Sequence, residues 1–373
     1  MLAAQRLLCL AARTALTPRS ANELETLLGR GIDWPQVKEQ GGLHEVVPLV
    51  SETLRERTRA ALPDEWTTWS ERVSLGVLIR NVALADELLE VVEAVRAVGV
   101  DPIPVKGVVI AETLYGGLGL RPAADIDVLV RPEELEPARR GLRSLGYVQR
   151  AAVGYFAGHP YHDAQYYRPT AAGVACLELH MGLWDPKLFH WDPGIWERTG
   201  YGQLRGSPVR LLSDEDTLLH LAIHRARSPL KLRFVCDVAE LVRHRGPSLD
   251  WELALALARR MRARTALFAS LRLAGELLGA DVPSSILTDL RVGQTKRRVL
   301  ERTCGRTALF RPAPGRDAGQ QATPALRLLE QDGIARLGPS IARATRRRAR
   351  AWLSDRRRTL RGAGSLRSEP GGL

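Results

Sequence analysis

Asp125 and Asp127, in the run Arg121-Pro-Ala-Ala-Asp-Ile-Asp127, are two carboxylates at a spacing that suggests chemistry. On a strand, the period of two sends both side chains to one face. Carboxylates held side by side repel unless a cation sits between them. Mg²⁺ takes oxygen ligands and completes its shell with water and phosphate oxygens, so an Asp-x-Asp at a strand end is a seat for a metal–nucleotide complex. The same pair can also be a solvent-facing strand end, and it is the flanking residues that favour the chemical reading. Upstream, Val105-Lys-Gly107 opens a helical stretch. A helix N-terminus at Gly107 can receive phosphate through free N–H groups and the helix dipole. Lys106 and Arg121 can neutralise phosphate charge, although Lys106 can equally cap a strand with its stem buried. A third acid is Glu178, in Val174-Ala-Cys-Leu-Glu-Leu-His180. Leu177 and Leu179 take the opposite face, which leaves Glu178 beside Cys176 and His180. Next to the Asp pair, Glu178 can bind metal or take a proton from an attacking hydroxyl; an ordinary pairing with an arginine would also satisfy it.

The elements that must position these residues follow from hydrophobic spacing. Residues 1–100 are expected to be helical. Ser20-Ala-Asn-Glu23 has the form of a capping box ahead of the stripe Leu24, Leu27 and Leu28. Pro63 opens a long helix to about Gly99, with Leu75, Leu78, Ile79, Val82, Leu88, Val91, Val92 and Val95 at helical spacing. The pattern changes at Val100. Residues 101–105 hold two prolines and are expected as a short strand, 107–116 as a helix and 125–130 as a buried strand. Pro132 begins a helix with Leu135, Ala138, Leu142 and Leu145 on one face, ended by Gly146. Weaker strands fall at 147–150 and 161–168, and a clearer one at 174–180. From about 183 the chain is expected to be helical again. Ser213 caps a helix carrying His220 and His224, and further helices lie near 230–244, 250–262 and 264–279. Together these predict an α+β fold: a small mixed β-sheet at 101–182, flanked by helical regions at 1–100 and 183–290.

The charge is unevenly placed. The formal net charge is +12, yet residues 291–373 hold 20 Lys/Arg against 6 Asp/Glu, which leaves the other residues slightly acidic. The body is therefore no general nucleic-acid grip. The segment after 291 loses apolar periodicity and carries Arg346-Arg-Arg348 and Arg356-Arg-Arg358, so it is expected to be partly disordered, with one basic helix around 336–353. Its aromatics are Phe310 and Trp352, too few for a stacking platform on RNA. The four cysteines have no close pair, which argues against a zinc knuckle or disulfide framework and fits a reducing, cytoplasmic setting. The apolar run 7–12 near the N-terminus is expected to be an ordinary first helix, and no stretch approaches the roughly 20 apolar residues of a membrane span.

The stretch VKGVVIAETLYGG, followed by RPAADIDVLVRPEELEPARRGLRSLGY and later by LLHLAIHRARSPLKLRFVCDVAELV, resembles the uncharacterised bacterial nucleotidyltransferase family within the polymerase-beta superfamily, over about residues 5–280. The resemblance implies transfer of a nucleoside monophosphate from an NTP to an acceptor, with release of pyrophosphate. It places Asp125 and Asp127 as the metal pair and Glu178 as the third acid, with Mg²⁺ or Mn²⁺ as cofactor. Lys106, Gly107 and Arg121 fall on the nucleotide, and His180, His224, Arg233 and Asp237 fall on the pocket. Arg121-x-x-x-Asp-x-Asp is also similar to antibiotic nucleotidyltransferases. Many superfamily members carry Gly-Ser or Gly-Gly at the phosphate turn; here Val108 follows Gly107, so the grip on phosphate rests on backbone N–H groups and basic side chains. Plainer readings stand beside these. His220 and His224, four apart, suit helix packing or a metal, and Arg233 and Asp237 are spaced for an i,i+4 salt bridge. The near-neutral body favours a small molecule, peptide or protein as acceptor, while the basic tail leaves open RNA such as a tRNA end. A degenerate nucleotide-binding module without catalysis is the remaining alternative.

Overall fold

The computed structural model describes residues 2–58, 62–150, 162–170, 173–184, 188–228, 230–310 and 332. The chain divides into two compact units, Met1–Gln331 and Asp332–Leu373. The second lies outside the described residues except for Asp332, and with it the arginine clusters and the basic helix expected at 336–353.

Five helices come first: α1 (Ala3–Ala11), α2 (Pro18–Leu28), α3 (Trp34–Leu43), α4 (Val47–Arg57) and α5 (Asp64–Arg96). Leu7, Leu8, Cys9 and Leu10 of α1 are fully buried. The cap of α2 is Thr17 rather than Ser20: its hydroxyl accepts from the Ser20 N–H at 3.2 Å, and Pro18 occupies the first helical position. Ser20 is thus already inside the first turn, because Pro18 pre-sets the helical φ and has no N–H to satisfy. The long α5 begins after Pro63, as its sequence predicts. Its apolar stripe divides, with Leu88, Val91, Val92 and Val95 buried but Leu75, Leu78 and Ile79 exposed.

The sheet contains β1 (Ile103–Val105), β2 (Ile126–Leu129), β3 (Val148–Arg150), β4 (His162–Thr170) and β5 (Gly173–His180), in the order β1-β2-β5-β4-β3. β2 and β5 are parallel and the other pairs antiparallel, which makes the sheet mixed. Between β1 and β2 runs α6 (Gly107–Tyr115), and between β2 and β3 runs α7 (Leu135–Ser144). Pro132 starts a single 3-10 turn before α7 rather than the helix itself. α7 crosses α5 so closely that a Cβ on Gly141 would lie 2.9 Å from the Ala94 carbonyl oxygen, so only glycine fits there. At the far edge, Arg168 of β4 donates to Glu87 and Glu90 of α5 at 2.5 and 2.6 Å, and Tyr147 donates to Glu87.

The return to helix at 183 is interrupted by a hairpin, β6 (Gly200–Leu204) and β7 (Ser207–Leu211). Its two-residue turn, Arg205-Gly206, has positive φ at both positions (49° and 80°). That is the turn geometry that matches the twist of paired strands, and only its Gly announces it in the sequence. Then come α8 (Asp214–Arg227), α9 (Leu232–Arg245), α10 (Trp251–Arg260), α11 (Arg264–Leu278), α12 (Ser284–Asp289), α13 (Gln294–Cys304) and α14 (Arg306–Leu309). Ser213 caps α8 as expected, accepting from the Asp216 N–H at 3.1 Å. Helical structure continues past 291, because Leu300, Cys304, Leu309 and Phe310 are buried in the helical core and Phe310 packs edge-on against His44 at 4.8 Å. The fold is α+β, with two apolar clusters. One joins α1–α4 to α8–α14, and the other lies between the sheet and α5–α7. No helix among the described residues is long and apolar enough to cross a membrane.

Candidate active site

The register of β2 and β5 sets Asp127 directly beside Glu178, and that of β1 and β2 sets Asp127 opposite Val105. Lys106, the next residue after β1, therefore arrives at the same carboxylate: its Nζ lies 2.8 Å from Asp127 Oδ1. His180 Nε2 lies 2.8 Å from the same oxygen and 3.6 Å from Glu178 Oε2. Asp127, Glu178 and His180 present ligand atoms all within 4.8 Å of one another. Glu178 is steered by a neighbour on β4, accepting from Gln165 Nε2 at 2.9 Å, while the Tyr167 hydroxyl donates to Gln165 Oε1. The arginine partner that would have explained Glu178 more simply is replaced by this amide. Asp125 sits one residue before β2, partly buried.

The charges at this point do not balance. Burial, and then the neighbouring Asp127, raise the Asp125 carboxyl above its usual range, against the pull of Lys106. Burial likewise raises Asp127 in spite of Lys106. For Lys106 burial acts downward, but Asp127, Asp125 and Glu178 outweigh it and raise the ammonium. Burial lowers the His180 imidazole to about 4, so it is neutral at pH 7. Three carboxyl groups thus converge on one ammonium. Asp127 Oδ2 is buried with no hydrogen-bond partner among the described residues. A buried, unpartnered carboxylate oxygen is costly, and a hard divalent cation takes oxygen donors of this kind. The carboxylate oxygens of Asp125, Asp127 and Glu178 fit such an ion, with His180 bonded to Asp127 Oδ1 beside them.

The turn before α6 is under backbone constraint. Lys106 has φ 48°, which favours glycine, and Gly107 has φ 54°. A Cβ on Gly107 would stand 3.4 Å from the Asp125 carbonyl oxygen. The start of α6 is thereby held against the loop that delivers Asp125, and strain of this kind is kept where surrounding structure over-determines it.

Arg121 takes a different place from the phosphate contact expected of it. Its Nε and Nη2 donate to both oxygens of Asp237 at 2.7 and 2.8 Å, and its Nη1 donates to the carbonyls of Gly107 and Pro122. The Tyr115 hydroxyl also donates to Asp237, at 2.8 Å. The i,i+4 bridge between Arg233 and Asp237 does not form. Asp237 turns inward to Arg121, while Arg233 pairs with Glu45 at 3.1 Å and donates to the Pro122 carbonyl. His220 is buried with neither ring nitrogen hydrogen-bonded among the described residues, and burial lowers its pKa to about 3. His224 stacks on His220 and meets Phe234 edge-on, and burial lowers it well below its usual value.

Residues 30–279 match the family described as uncharacterised nucleotidyltransferase. The chain belongs to that family. Among solved structures it is similar to an antigenic nucleotidyltransferase-like protein from Paracoccidioides brasiliensis, at 15% identity over 52% of this chain and 91% of that one, with a TM-score of 0.31. No curated protein matches the chain.

The nucleotidyltransferase region depends on residues that the sequence did not bring forward. Asn81 of α5 is fully buried, and its side chain donates to the Leu118 and Arg121 carbonyls at 2.7 Å each while accepting from the Ala123 N–H. It staples the 118–123 loop that leads into Asp125. Its signal was a polar residue at an inward position of an apolar helix. Gln165 and Tyr115 had no such signal, since their partners Glu178 and Asp237 lie far away in sequence, and Tyr167 matters only through Gln165.

Proposed function

We propose that this chain transfers a nucleoside monophosphate from an NTP to a hydroxyl or similar acceptor on a small molecule, peptide or protein, releasing pyrophosphate, as polymerase-beta-type enzymes do. The observation that carries the reading is the pairing of Asp127 with Glu178 on adjacent parallel strands, with Asp125 two residues away and Asp127 Oδ2 without a hydrogen-bond partner among the described residues. A divalent cation bound there, Mg²⁺ or Mn²⁺, supplies charge neutralisation at the transferred phosphoryl group.

The chain's own groups then have separate tasks. Asp125 and Asp127 would hold the cation. Neutral His180, bonded to Asp127 Oδ1, fixes the orientation of that carboxylate. Glu178 has one oxygen held by Gln165, and the other, 3.6 Å from His180 Nε2, would accept the acceptor's hydroxyl proton. The acceptor oxygen bonds to the α-phosphorus, the bond to the bridging oxygen breaks, and pyrophosphate leaves with that electron pair. Lys106 and the first N–H groups of α6 would take the phosphates, and Arg121, through Asp237 and Gly107, would act as a positioning residue.

The test is calorimetric titration of each of the four NTPs, with and without Mg²⁺, into the wild type and an Asp125→Ala/Asp127→Ala variant. Metal-dependent binding that disappears in the variant is the expected result and names the donor. A folded wild type that binds no NTP would point to a non-catalytic module and overturn the proposal.

A further inference from the structure

Lys106 occupies an unusual position for a residue read as a phosphate contact. Its ammonium is 2.8 Å from Asp127 Oδ1, with a side chain only 15% exposed against a carboxylate with no exposure. It also stands between β1 and the first residue of α6 with φ 48°, so the chain accepts a strained backbone to put a cation there. We infer that Lys106 is a surrogate cation, which neutralises Asp127 while the site is empty and moves to the triphosphate when nucleotide arrives, so that metal and nucleotide bind in mutual dependence.

The inference rests on the nucleotidyltransferase reading and adds a binding order to it. With Lys106 against Asp127, a divalent cation entering alone meets a like charge at its own ligand. An NTP offers the ammonium anionic oxygens at the adjoining helix start. Rotation of the flexible four-carbon stem then removes the repulsion without any movement of the sheet. Asp127 Oδ2, unpartnered among the described residues, is ready throughout, so the barrier to metal is charge and not lack of a ligand. Linkage makes the effect reciprocal: whatever factor nucleotide adds to metal affinity, metal adds to nucleotide affinity. The acid set would then take up metal together with its substrate and hold it weakly otherwise.

Mn²⁺ binding, read from the loss of the free-ion electron paramagnetic resonance signal, tests this without turnover. The proteins are the full chain, Lys106→Gln, Lys106→Arg and Asp127→Asn. Each is measured alone and with an equimolar mixture of the four α,β-methylene nucleoside triphosphates, the Mn²⁺ taken up by the same nucleotide mixture without protein being subtracted, and circular dichroism confirms folding. Without nucleotide, Lys106→Gln should bind Mn²⁺ about tenfold to a hundredfold more tightly than wild type, the usual range for coupled sites, and Lys106→Arg should behave as wild type. Nucleotide should tighten Mn²⁺ by a similar factor in wild type and by less than about threefold in Lys106→Gln. Should Lys106→Gln fail to fold, Lys106→Met reports the same quantity. Mn²⁺ binding that Asp127→Asn abolishes but Lys106→Gln leaves unchanged or weakened would overturn the surrogate role and leave the nucleotidyltransferase reading intact. Absence of Mn²⁺ binding in every protein, with nucleotide present, would overturn both.

Discussion

Replacing Asp237 by leucine strands the Arg121 guanidinium in a site where Arg121 and Asp237 are 4% and 1% exposed. Asp237 accepts three hydrogen bonds, two from Arg121 and one from Tyr115. Breaking one side of a buried ion pair costs about 4 kcal/mol, because the remaining charge has neither water nor counter-ion. Arg121→Met should cost less, about 3 kcal/mol, since a stranded aspartate can take up a proton whereas a guanidinium cannot give one up. Independent effects would sum to about 7 kcal/mol. The double variant Arg121→Met/Asp237→Leu should instead lose about 3 kcal/mol or less, because removing both charges also removes the desolvation penalty. Urea unfolding at pH 7, followed by two probes to check for a single transition, measures all four corners of the cycle. Turnover separates the roles further. The double variant regains stability but not the grip of Arg121 on the Gly107 and Pro122 carbonyls, so its nucleotide affinity and rate stay low. A double variant that loses as much as the sum, or an Asp237→Leu variant that loses less than about 1 kcal/mol, would refute the account of a buried, mutually dependent pair.

Two further outcomes follow from the same geometry. Burial and Asp127 raise the Asp125 carboxyl above its usual 3.8. Between 3.8 and the raised value the folded state binds more protons than the unfolded one, so metal-free stability falls as pH rises through that window and stays lower above it. Asp125→Asn should therefore unfold at a higher temperature than wild type at pH 7 in chelator, with the difference closing at acid pH, while turnover is lost; an equal or lower Tm at pH 7 would contradict the repulsion. Asn81→Leu leaves two buried carbonyls and one N–H without partners, which should cost about 3 kcal/mol in urea unfolding. It should also lower kcat by loosening the loop before Asp125, and a variant with wild-type stability would remove Asn81 from that role.

Local pattern was enough to locate β1, β2 and β5, the helix starting at Gly107 and the Ser213 cap, because strand alternation, glycine and capping chemistry are properties of a few consecutive residues. It was not enough for the Arg205-Gly206 hairpin, whose turn is announced by one glycine alone, nor for α13 and α14, whose few apolar residues are buried only because a helical core lies beneath them. The cap of α2 was displaced by three residues because Pro18 outranks the Ser20 motif in setting the first turn.

The sequence by itself determined which groups could do chemistry here: an Asp-x-Asp pair, a Lys-Gly turn and a Glu-x-His strand end, each a local spacing with a definite facing. Only the tertiary structure decided who meets whom. Strand register placed Asp127 against Glu178 rather than one residue to either side, and that choice depends on which face of each strand is buried. Side-chain reach across distant elements gave Arg121 to Asp237, Arg233 to Glu45 and Lys106 to Asp127. Ion pairs of this kind are chosen by burial and proximity in the folded chain, and spacing along the sequence carries no record of them.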